Sequence, residues 1–195
     1  MSAHGAATPK GAVRFFIFFL GVLATAYVYQ FQNTTGIDLG LPNSSQNTVG
    51  VYYNVTKVTD GDTIHIEMDG RDEKVRLIGI NTPETVDPRR TVECFGKEAS
   101  SRMKELASGK IVRLEYDESQ NTRDAYGRLL AYVYLEDGQM LNRKMIAEGY
   151  AYEYTYLKPY KYQKEFRDLQ SLARTSERGL WAPSTCNGNK NAQAQ

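Results

Sequence analysis

A predicted β-hairpin with polar residues at its ends occupies the sequence between Lys57 and Glu84. Apolar and polar side chains alternate in two runs, a first that counts Val58 with Ile64 and Ile66 in T-I-H-I-E and a second in K-V-R-L, and the dipeptide Asp69-Gly70 lies between them. Alternation with a period of two is typical of strands with one buried face, and Asp-Gly is a strong signal for a hairpin turn. The fold must therefore contain an antiparallel sheet.

Oxygen-bearing side chains and an arginine are grouped at the ends of this hairpin. Asp60 and Asp62 flank Gly61 at the entrance of the first run, and the second run carries Arg76 and is followed by Asn81, Thr82 and Glu84. Calcium ions take oxygen ligands, and a planar guanidinium matches two phosphate oxygens. The grouping predicts a site for a hard cation and a phosphate, although each piece alone is also typical of a turn, a strand end or a surface charge.

Three blocks of sequence identify a family resemblance. V-T-D-G-D-T begins at Val58, R-L-I-G-I-N-T-P-E-T at Arg76, and D-A-Y-G-R-L-L-A-Y-V-Y at Asp124. In the order and separation of these blocks, the chain resembles the staphylococcal nuclease (thermonuclease) family from Val51 to about Trp181. The resemblance implies a five-stranded OB-fold barrel with three flanking helices, a mainly β variant of α+β; periodicity alone predicts only an α+β fold.

The resemblance implies a calcium site. Its ligands would be Asp62, Asn81 and the backbone carbonyl of Thr82, with Asp60 supporting them from a second layer. Asn81 departs from the family pattern, in which the best-known member has a carboxylate. An amide oxygen still coordinates Ca²⁺ but brings no charge, so we predict weak calcium binding.

The resemblance also implies a catalytic set. Glu84 would be the general base, and Arg76 and Arg128 would hold the phosphoryl oxygens, which gain negative charge during attack. By the family's chemistry, DNA or RNA would be cleaved to leave 3′-phosphates. The alternative is a catalytically weak or inactive nucleic-acid-binding module, as in the nuclease-like repeats of tudor staphylococcal nuclease proteins. Retention of all three residues favours the enzyme.

Tyrosines are the candidate substrate-binding residues. Four of them, Tyr150 to Tyr156, recur at every second position, which predicts a strand with all four on one face. Such a face can stack bases, although half-buried packing is the commoner use of this pattern. The resemblance implies Tyr126 as a residue of the substrate pocket. Tyr154 and Tyr156 are further candidates for it, although the run has no unique register on the family's pocket tyrosines.

The remaining helices and strands are predicted from the spacing of apolar residues and from the glycine and proline residues that end each segment. Helices are predicted over Gly96–Ala107 and Leu141–Glu148 and from Tyr162 towards Gly179, and strands over Ile111–Tyr116 and Arg128–Tyr134. The segment Glu84–Cys94 is predicted to be a loop. These elements belong to one domain at residues 51–186, and the polar tail at 187–195 is predicted to be disordered.

The amino-terminal region predicts export. Lys10 and Arg14 precede an apolar run from Phe15 to Phe31, which suits a signal anchor within residues 1–31 or, if cleaved near Ala26, a signal peptide. Residues 32–50 are predicted to be a flexible polar linker. The triplets at Asn33, Asn43 and Asn54 would be glycosylation acceptors only in an organism with that machinery.

Charge and cysteine content refine this picture. The net charge of +1 argues against a strongly basic nucleic-acid binder and favours substrate held by local charge. We expect a monomer acting on single-stranded DNA and RNA, with no protein partner. The two cysteines, Cys94 and Cys186, are disulfide candidates because an exported chain meets an oxidising compartment, with two free thiols as the alternative.

Overall fold

The computed structural model describes residues 50–85 and 92–192. The predicted signal anchor or signal peptide, and all of the linker before Gly50, lie outside these residues. None of the helices within the two described ranges is both long enough and apolar enough to cross a membrane.

Five strands close into a barrel in the order β1-β2-β3-β6-β5. They are β1 (Tyr52–Val58), β2 (Thr63–Met68), β3 (Arg71–Leu77), β5 (Ile111–Glu115) and β6 (Leu129–Leu135). Neighbouring strands are antiparallel except β3 and β6, which are parallel, and β1 pairs with β5 to close the barrel. The predicted five-stranded barrel is confirmed, and the Asp69-Gly70 turn joins β2 to β3.

One detail of the predicted hairpin is wrong. The sequence pattern placed Val58 on the same strand as Ile64, whereas Val58 ends β1 and a tight connection leads into β2. In that connection the Thr59 N–H donates to the Thr63 carbonyl at 3.0 Å. The Asp60-Gly61-Asp62 segment therefore forms the corner between two paired strands.

Three α-helices lie outside the barrel, as predicted: α1 (Gly96–Ala107), α2 (Leu141–Ala147) and α3 (Gln163–Thr175). The α1 residues Ala99, Met103 and Ala107 are fully buried and share one face. A short 3₁₀ helix, Gly179–Trp181, follows α3. Helix ends differ from the predicted ones by at most a few residues.

A second small sheet lies beside the barrel. It pairs β4 (Ile80–Asn81) with β7 (Tyr152–Glu153), and Asn81 is opposite Tyr152. The prediction of a strand through Tyr150–Tyr156 with four tyrosines on one face is wrong. Only Tyr152 among the four lies in β7, because the chain leaves the sheet after Glu153.

The barrel core orients the functional strand. On β3, Val75 and Leu77 are 0% and 1% exposed, and each buried aliphatic side chain contributes about 1.5–3 kcal/mol of stability. Because side chains alternate along a strand, Arg76 between them faces away from the core. Burial of Val75 and Leu77 thereby determines which face of β3 carries Arg76. Arg76 lies opposite Thr63 on β2.

A buried amide that the sequence analysis did not identify ties α2 to the barrel. Asn142 is fully buried; its Oδ1 accepts the Val133 N–H at 2.9 Å, and its Nδ2 donates to the Ile78 carbonyl at 2.8 Å. The second bond reaches the chain just before β4. Asn142 therefore stabilises the backbone that leads to Asn81.

The carboxy-terminal segment packs against the domain. Cys94 and Cys186 form a disulfide with Cα atoms 5.9 Å apart. The Gly188 N–H donates to the Leu180 carbonyl and the Cys94 N–H to the Lys190 carbonyl, both at 2.9 Å. Residues 187–192 of the tail thus contribute to these contacts, and residues 193–195 lie outside the described range.

Candidate active site

A pocket of about 200 Å³ opens beside the β1–β2 corner. Its lining brings together residues from the corner, from β3 and β4, and from the turn before β6: Asp60, Asp62, Arg76, Asn81, Thr82, Pro83, Glu84 and Arg128. All seven polar residues that the sequence analysis assigned to the metal site and the catalytic set are in this lining. The distant sequence blocks therefore converge on one polar cavity.

Asp62 lies at the centre of the hydrogen bonding and is 6% exposed. Its Oδ2 accepts the Thr82 N–H at 2.8 Å and the Thr82 hydroxyl at 3.0 Å. Its Oδ1 accepts the Thr63 hydroxyl at 3.2 Å and lies 3.2 Å from Arg76 Nε. These contacts join the β1–β2 corner to the segment after β4 and fix the orientation of the carboxylate.

Asp60 is less well compensated. Its Oδ1 accepts the Asp62 N–H at 3.1 Å. Burial, followed by the neighbouring charge of Asp62, raises the pKa of Asp60 to about 6. Two carboxylates in one partly buried corner repel each other, and a cation between them would relieve that cost.

Gly61 allows the corner to approach the segment after β4. A Cβ at this position would lie 2.6 Å from the Thr82 Cγ2, which is closer than side-chain contacts allow. Glycine is therefore required where the corner meets Thr82.

Arg76 is fixed by contacts on three of its nitrogen atoms. Nη1 donates to the carbonyls of Leu77 at 3.0 Å and Ile80 at 2.9 Å, and Nη2 donates to Asn81 Oδ1 at 3.1 Å. With the Nε–Asp62 contact, this leaves the side chain 13% exposed. The guanidinium is thus held at the pocket wall before any substrate binds.

Arg128 immediately precedes β6 and is held by the turn to which it belongs. Asp124 Oδ1 accepts the backbone N–H groups of Tyr126 at 2.9 Å and Arg128 at 3.0 Å. Asp124 Oδ2 lies 2.7 Å from both Nε and Nη2 of Arg128. One carboxylate therefore shapes the turn and orients the guanidinium.

Glu84 is positioned mainly through its backbone. Its N–H donates to Glu93 Oε2 at 3.0 Å, and its carbonyl accepts the Glu93 N–H at 2.9 Å. Its carboxylate Oε1 accepts the Thr85 N–H at 2.8 Å. The two bonds with Glu93 hold the backbone of Glu84 beyond the end of β4.

Comparison with known proteins identifies the family. Residues 74–183 match the family model described as staphylococcal nuclease homologue. The chain belongs to the staphylococcal nuclease family. It is 41% identical over 143 residues to a thermonuclease of Staphylococcus hyicus, covering 73% of this chain and 80% of that protein.

Two further relatives agree with this membership. A thermonuclease of Staphylococcus intermedius is 39% identical over 165 residues, which cover 85% of this chain and 95% of the relative. Endonuclease YncB of Bacillus subtilis is 36% identical over 153 residues, covering 78% and 72% of the two chains. As a staphylococcal nuclease family member, the protein is a nuclease and therefore a hydrolase.

The pocket residues of this staphylococcal nuclease homologue suit a hard cation, although they do not provide a full set of carboxylate ligands. Every candidate ligand near the β1–β2 corner is an oxygen, from Asp60, Asp62, Asn81 or Thr82. Within residues 50–85 and 92–192, no three His, Cys, Asp or Glu side chains group closely enough to hold a metal ion by themselves. A cation would therefore depend on the Asn81 amide and the Thr82 carbonyl as well as on carboxylates.

The three candidate tyrosines lie outside the pocket lining described above. Tyr126 is 85% exposed, and its ring centre is 5.4 Å from the Arg128 guanidinium. Tyr154 and Tyr156 are 44% and 69% exposed, with ring centres 6.4 Å apart. Exposed rings of this kind are free to contact a substrate that extends beyond the pocket.

The sequence analysis missed two residues that position this nuclease site. Asp124 had a recognisable signal, since an aspartate before a Tyr-Gly turn commonly accepts backbone N–H groups of that turn. Glu93 had no local signal. Its role depends on the chain returning to Glu84, and neither charge nor periodicity specifies that return.

Proposed function

We propose that this nuclease is a Ca²⁺-dependent, extracytoplasmic enzyme that hydrolyses phosphodiester bonds of DNA and RNA and leaves 3′-phosphates. The observation that carries the proposal is the convergence of Arg76, Arg128 and Glu84 with the Asp60–Asp62 corner on one cavity. A phosphodiester needs cationic donors for its oxygens and a base for water, and this cavity contains both.

The two arginines stabilise the developing charge of the phosphoryl group. Arg76 approaches from β3 and Arg128 from the turn before β6, so their guanidinium groups reach the cavity from different chain segments. Each offers N–H donors in a fixed fork that matches phosphate oxygens. Because both are held before substrate binds, little reorganisation is needed as charge accumulates.

Glu84 acts as the general base that removes a proton from the attacking water. A carboxylate in this role must lie in the cavity that binds the phosphate, and Glu84 does so on the segment after Pro83. The deprotonated water attacks phosphorus, the P–O5′ bond breaks, and the 5′ oxygen takes a proton from solvent water, so the phosphate remains on the 3′ side.

Asp62, Asn81 and the Thr82 carbonyl hold the calcium ion, and Asp60 supports them. Bound there, Ca²⁺ supplies positive charge that neutralises the phosphate and lowers the cost of forming the dianionic transition state. The all-oxygen donor set and the raised pKa of Asp60 support this assignment. Arg76, which contacts both Asp62 and Asn81, links the cation site to the phosphate site.

Single-stranded nucleic acid is the proposed substrate, bound by a monomer with no protein partner. The cavity of about 200 Å³ has room for a phosphate with part of a sugar, so the bases must extend outside it. Tyr126, Tyr154 and Tyr156 supply exposed rings on which unpaired bases can stack.

Export is proposed from two features. The apolar run from Phe15 to Phe31 follows Lys10 and Arg14, as in signal anchors and signal peptides. The Cys94–Cys186 disulfide is a bond that persists in oxidising compartments. The protein is thus either anchored at the outer side of a membrane or, after cleavage near Ala26, released.

A cleavage assay tests this function. The purified protein is incubated with single-stranded DNA and with RNA of defined length, in Ca²⁺ or in a chelator, and the fragment ends are analysed. We expect cleavage of both substrates in Ca²⁺ only, with 3′-phosphate ends. Absence of cleavage under all conditions, with binding retained, would establish the binding-module alternative.

The Glu84→Gln variant separates chemistry from binding in the same assay. It keeps the size of the side chain and one acceptor oxygen but removes the base, so cleavage should fall about a thousandfold with little change in substrate affinity. The Glu98→Gln variant on α1, outside the pocket, is the matched control. Equal rates for the two variants would contradict the base assignment.

A further inference from the structure

The carboxy-terminal segment contacts both chain segments that carry site residues. Lys190 accepts the Cys94 N–H through its carbonyl at 2.9 Å, and its Nζ lies 3.5 Å from Glu93 Oε1. The Gly188 carbonyl accepts the Tyr152 hydroxyl at 3.4 Å on β7, the strand that pairs with Asn81. The segment therefore touches the neighbours of both Glu84 and Asn81.

A small buried cluster fixes this segment. Cys94, Leu180 and Cys186 form a hydrophobic core separate from the barrel interior, and the disulfide crosses it. Cys186 is 2% exposed, and the Asn189 N–H donates to its carbonyl at 2.8 Å. The disulfide and these hydrogen bonds thus attach residues 186–190 to the domain, and this segment is called the strap below.

The strap reaches Glu84 through a single intervening residue. Glu93, next to Cys94 in the chain, makes two hydrogen bonds with the Glu84 backbone. Its carboxylate accepts the Glu84 N–H, and its own N–H donates to the Glu84 carbonyl. Its side chain is 12% exposed, so these bonds are shielded from water. Lys190 Nζ, 3.5 Å from Glu93 Oε1, places the Glu93 carboxylate beside the strap as well.

Close packing strengthens the connection. A Cβ on Gly96 would lie 3.0 Å from the Glu84 carbonyl oxygen and 3.1 Å from that of Pro83. The start of α1 therefore packs directly against the backbone on which Glu84 is carried. Any shift at residues 93–96 is transmitted to Glu84 because there is no space to absorb it.

We propose that Glu93 is a positioning residue for Glu84, and that the Cys94–Cys186 disulfide and the strap at 186–190 hold Glu93 in place. This inference rests on the proposed role of Glu84 as the general base. The strap does not touch substrate. It fixes the distance between the base and the phosphate, and loss of that placement lowers the rate of the chemical step more than substrate binding.

The principal experiment compares Glu93→Ala, Glu93→Gln and the double variant Cys94→Ser/Cys186→Ser with the unaltered protein. We expect Glu93→Ala to lower kcat about tenfold with KM nearly unchanged, since misplacement of a base by a fraction of an ångström has effects of this size. Glu93→Gln keeps an oxygen acceptor for the Glu84 N–H and should recover most of the rate. The double serine variant should lose about threefold in kcat, because the strap keeps its hydrogen bonds.

Two controls separate positioning from loss of stability. Arg102→Ala removes the Arg102–Glu148 ion pair between α1 and the end of α2, away from the pocket, and should lower stability without changing kcat. Rates are measured well below each variant's unfolding temperature. A dithiol reductant should reduce the rate of the unaltered protein to that of the double serine variant and leave that variant unchanged.

A double-mutant cycle identifies the residue through which Glu93 acts. If Glu93 works through Glu84, Glu93→Ala has no further effect on the residual rate of Glu84→Gln. Additive losses, or unchanged kcat in Glu93→Ala and in the double serine variant, would overturn the inference. Should Glu84→Gln itself retain full activity, the base assignment fails instead, and the two failures are thereby distinguished.

Discussion

Within residues 50–85 and 92–192, carboxylates are buried at Asp117 and at the Asp60–Asp62 corner, and the chain compensates their negative charge to different extents. Asp117 is 8% exposed and accepts four hydrogen bonds: from the Tyr132 hydroxyl at 2.6 Å, the Lys161 N–H at 2.7 Å, and the Ser119 N–H and hydroxyl at 2.9 and 2.8 Å. Burial alone would raise the pKa of Asp117, but these hydrogen bonds lower it below its ordinary value.

The Asp60–Asp62 corner is compensated only in part. Asp62 has the Thr82 donors and Arg76, whereas the Asp60 pKa is raised to about 6 by burial and by the charge of Asp62. At the structural site, the chain itself supplies all the hydrogen-bond donors that the buried Asp117 carboxylate accepts. A carboxylate pair left under-compensated beside a polar cavity marks the place where a ligand completes the site.

The first prediction tests the cationic side chains that the chain itself supplies to the pocket. Arg76→Ala and Arg128→Ala should each lower the nuclease rate about a hundredfold, equivalent to about 3 kcal/mol, because each loses a donor to the transition state. Lysine should not restore the rate, since the planar fork is lost. A loss of tenfold or less in both alanine variants would contradict the assigned roles.

The free energy of unfolding should also differ between Arg76→Ala and Arg128→Ala. Arg76→Ala leaves Asp62 buried without its cationic partner and should destabilise the calcium-free protein by more than Arg128→Ala, because the Asp124 partner of Arg128 is less buried. Urea unfolding in a chelator measures the difference. Equal losses would show that the corner does not depend on Arg76 for charge compensation.

Alternation and helical spacing predicted the β2–β3 hairpin and the three helices, whereas the barrel and the grouping of the site residues were implied by the family resemblance of the three blocks. Prediction from the sequence failed where partners come from distant chain segments. The Tyr150–Tyr156 alternation predicted a strand, but the sheet partner β4 is only two residues long, so pairing stops after Glu153. Glu93 and Asn142 act through backbone groups that no side-chain pattern reveals.

The second prediction removes the charge from the fully compensated site. Asp117→Asn replaces one acceptor oxygen by an NH₂ group that faces existing donors, and should cost about 2 kcal/mol of stability at neutral pH. The nuclease rate of the folded variant should be unchanged, because Asp117 is not in the pocket lining. Urea unfolding and rate measurements at the same temperature check both expectations.

The pH dependence of Asp117 follows from its lowered pKa. The ionised group contributes stability above the ordinary aspartate pKa of about 4, and this contribution is lost as pH falls through the lower folded-state pKa. The stability difference between the unaltered protein and Asp117→Asn should therefore shrink in acid. A difference that stays constant from pH 7 to pH 3 would contradict the assignment.

The third prediction concerns Asp60, where removal of the charge should increase stability rather than decrease it. Because the Asp60 pKa is raised to about 6, the folded protein binds a proton more tightly than the unfolded chain, and ionised Asp60 costs stability above that pH. Asp60→Asn should stabilise the calcium-free protein by about 1 kcal/mol at pH 7.5, and by less at pH 5. Thermal unfolding in a chelator tests this, and destabilisation at pH 7.5 would refute it.

The smallest predicted effect concerns Asn81, where a further carboxylate would make the under-compensated corner more negative. Asn81→Asp should lower the calcium concentration that gives half-maximal nuclease rate about threefold to tenfold, because Ca²⁺ affinity rises with ligand charge. In a chelator the same variant should be less stable than the unaltered protein. Asn54→Asp adds the same charge on the exposed face of β1 and serves as the control. An unchanged half-saturating concentration in Asn81→Asp would mean that residue 81 does not face the metal, even though its Oδ1 lies 3.1 Å from Arg76 Nη2.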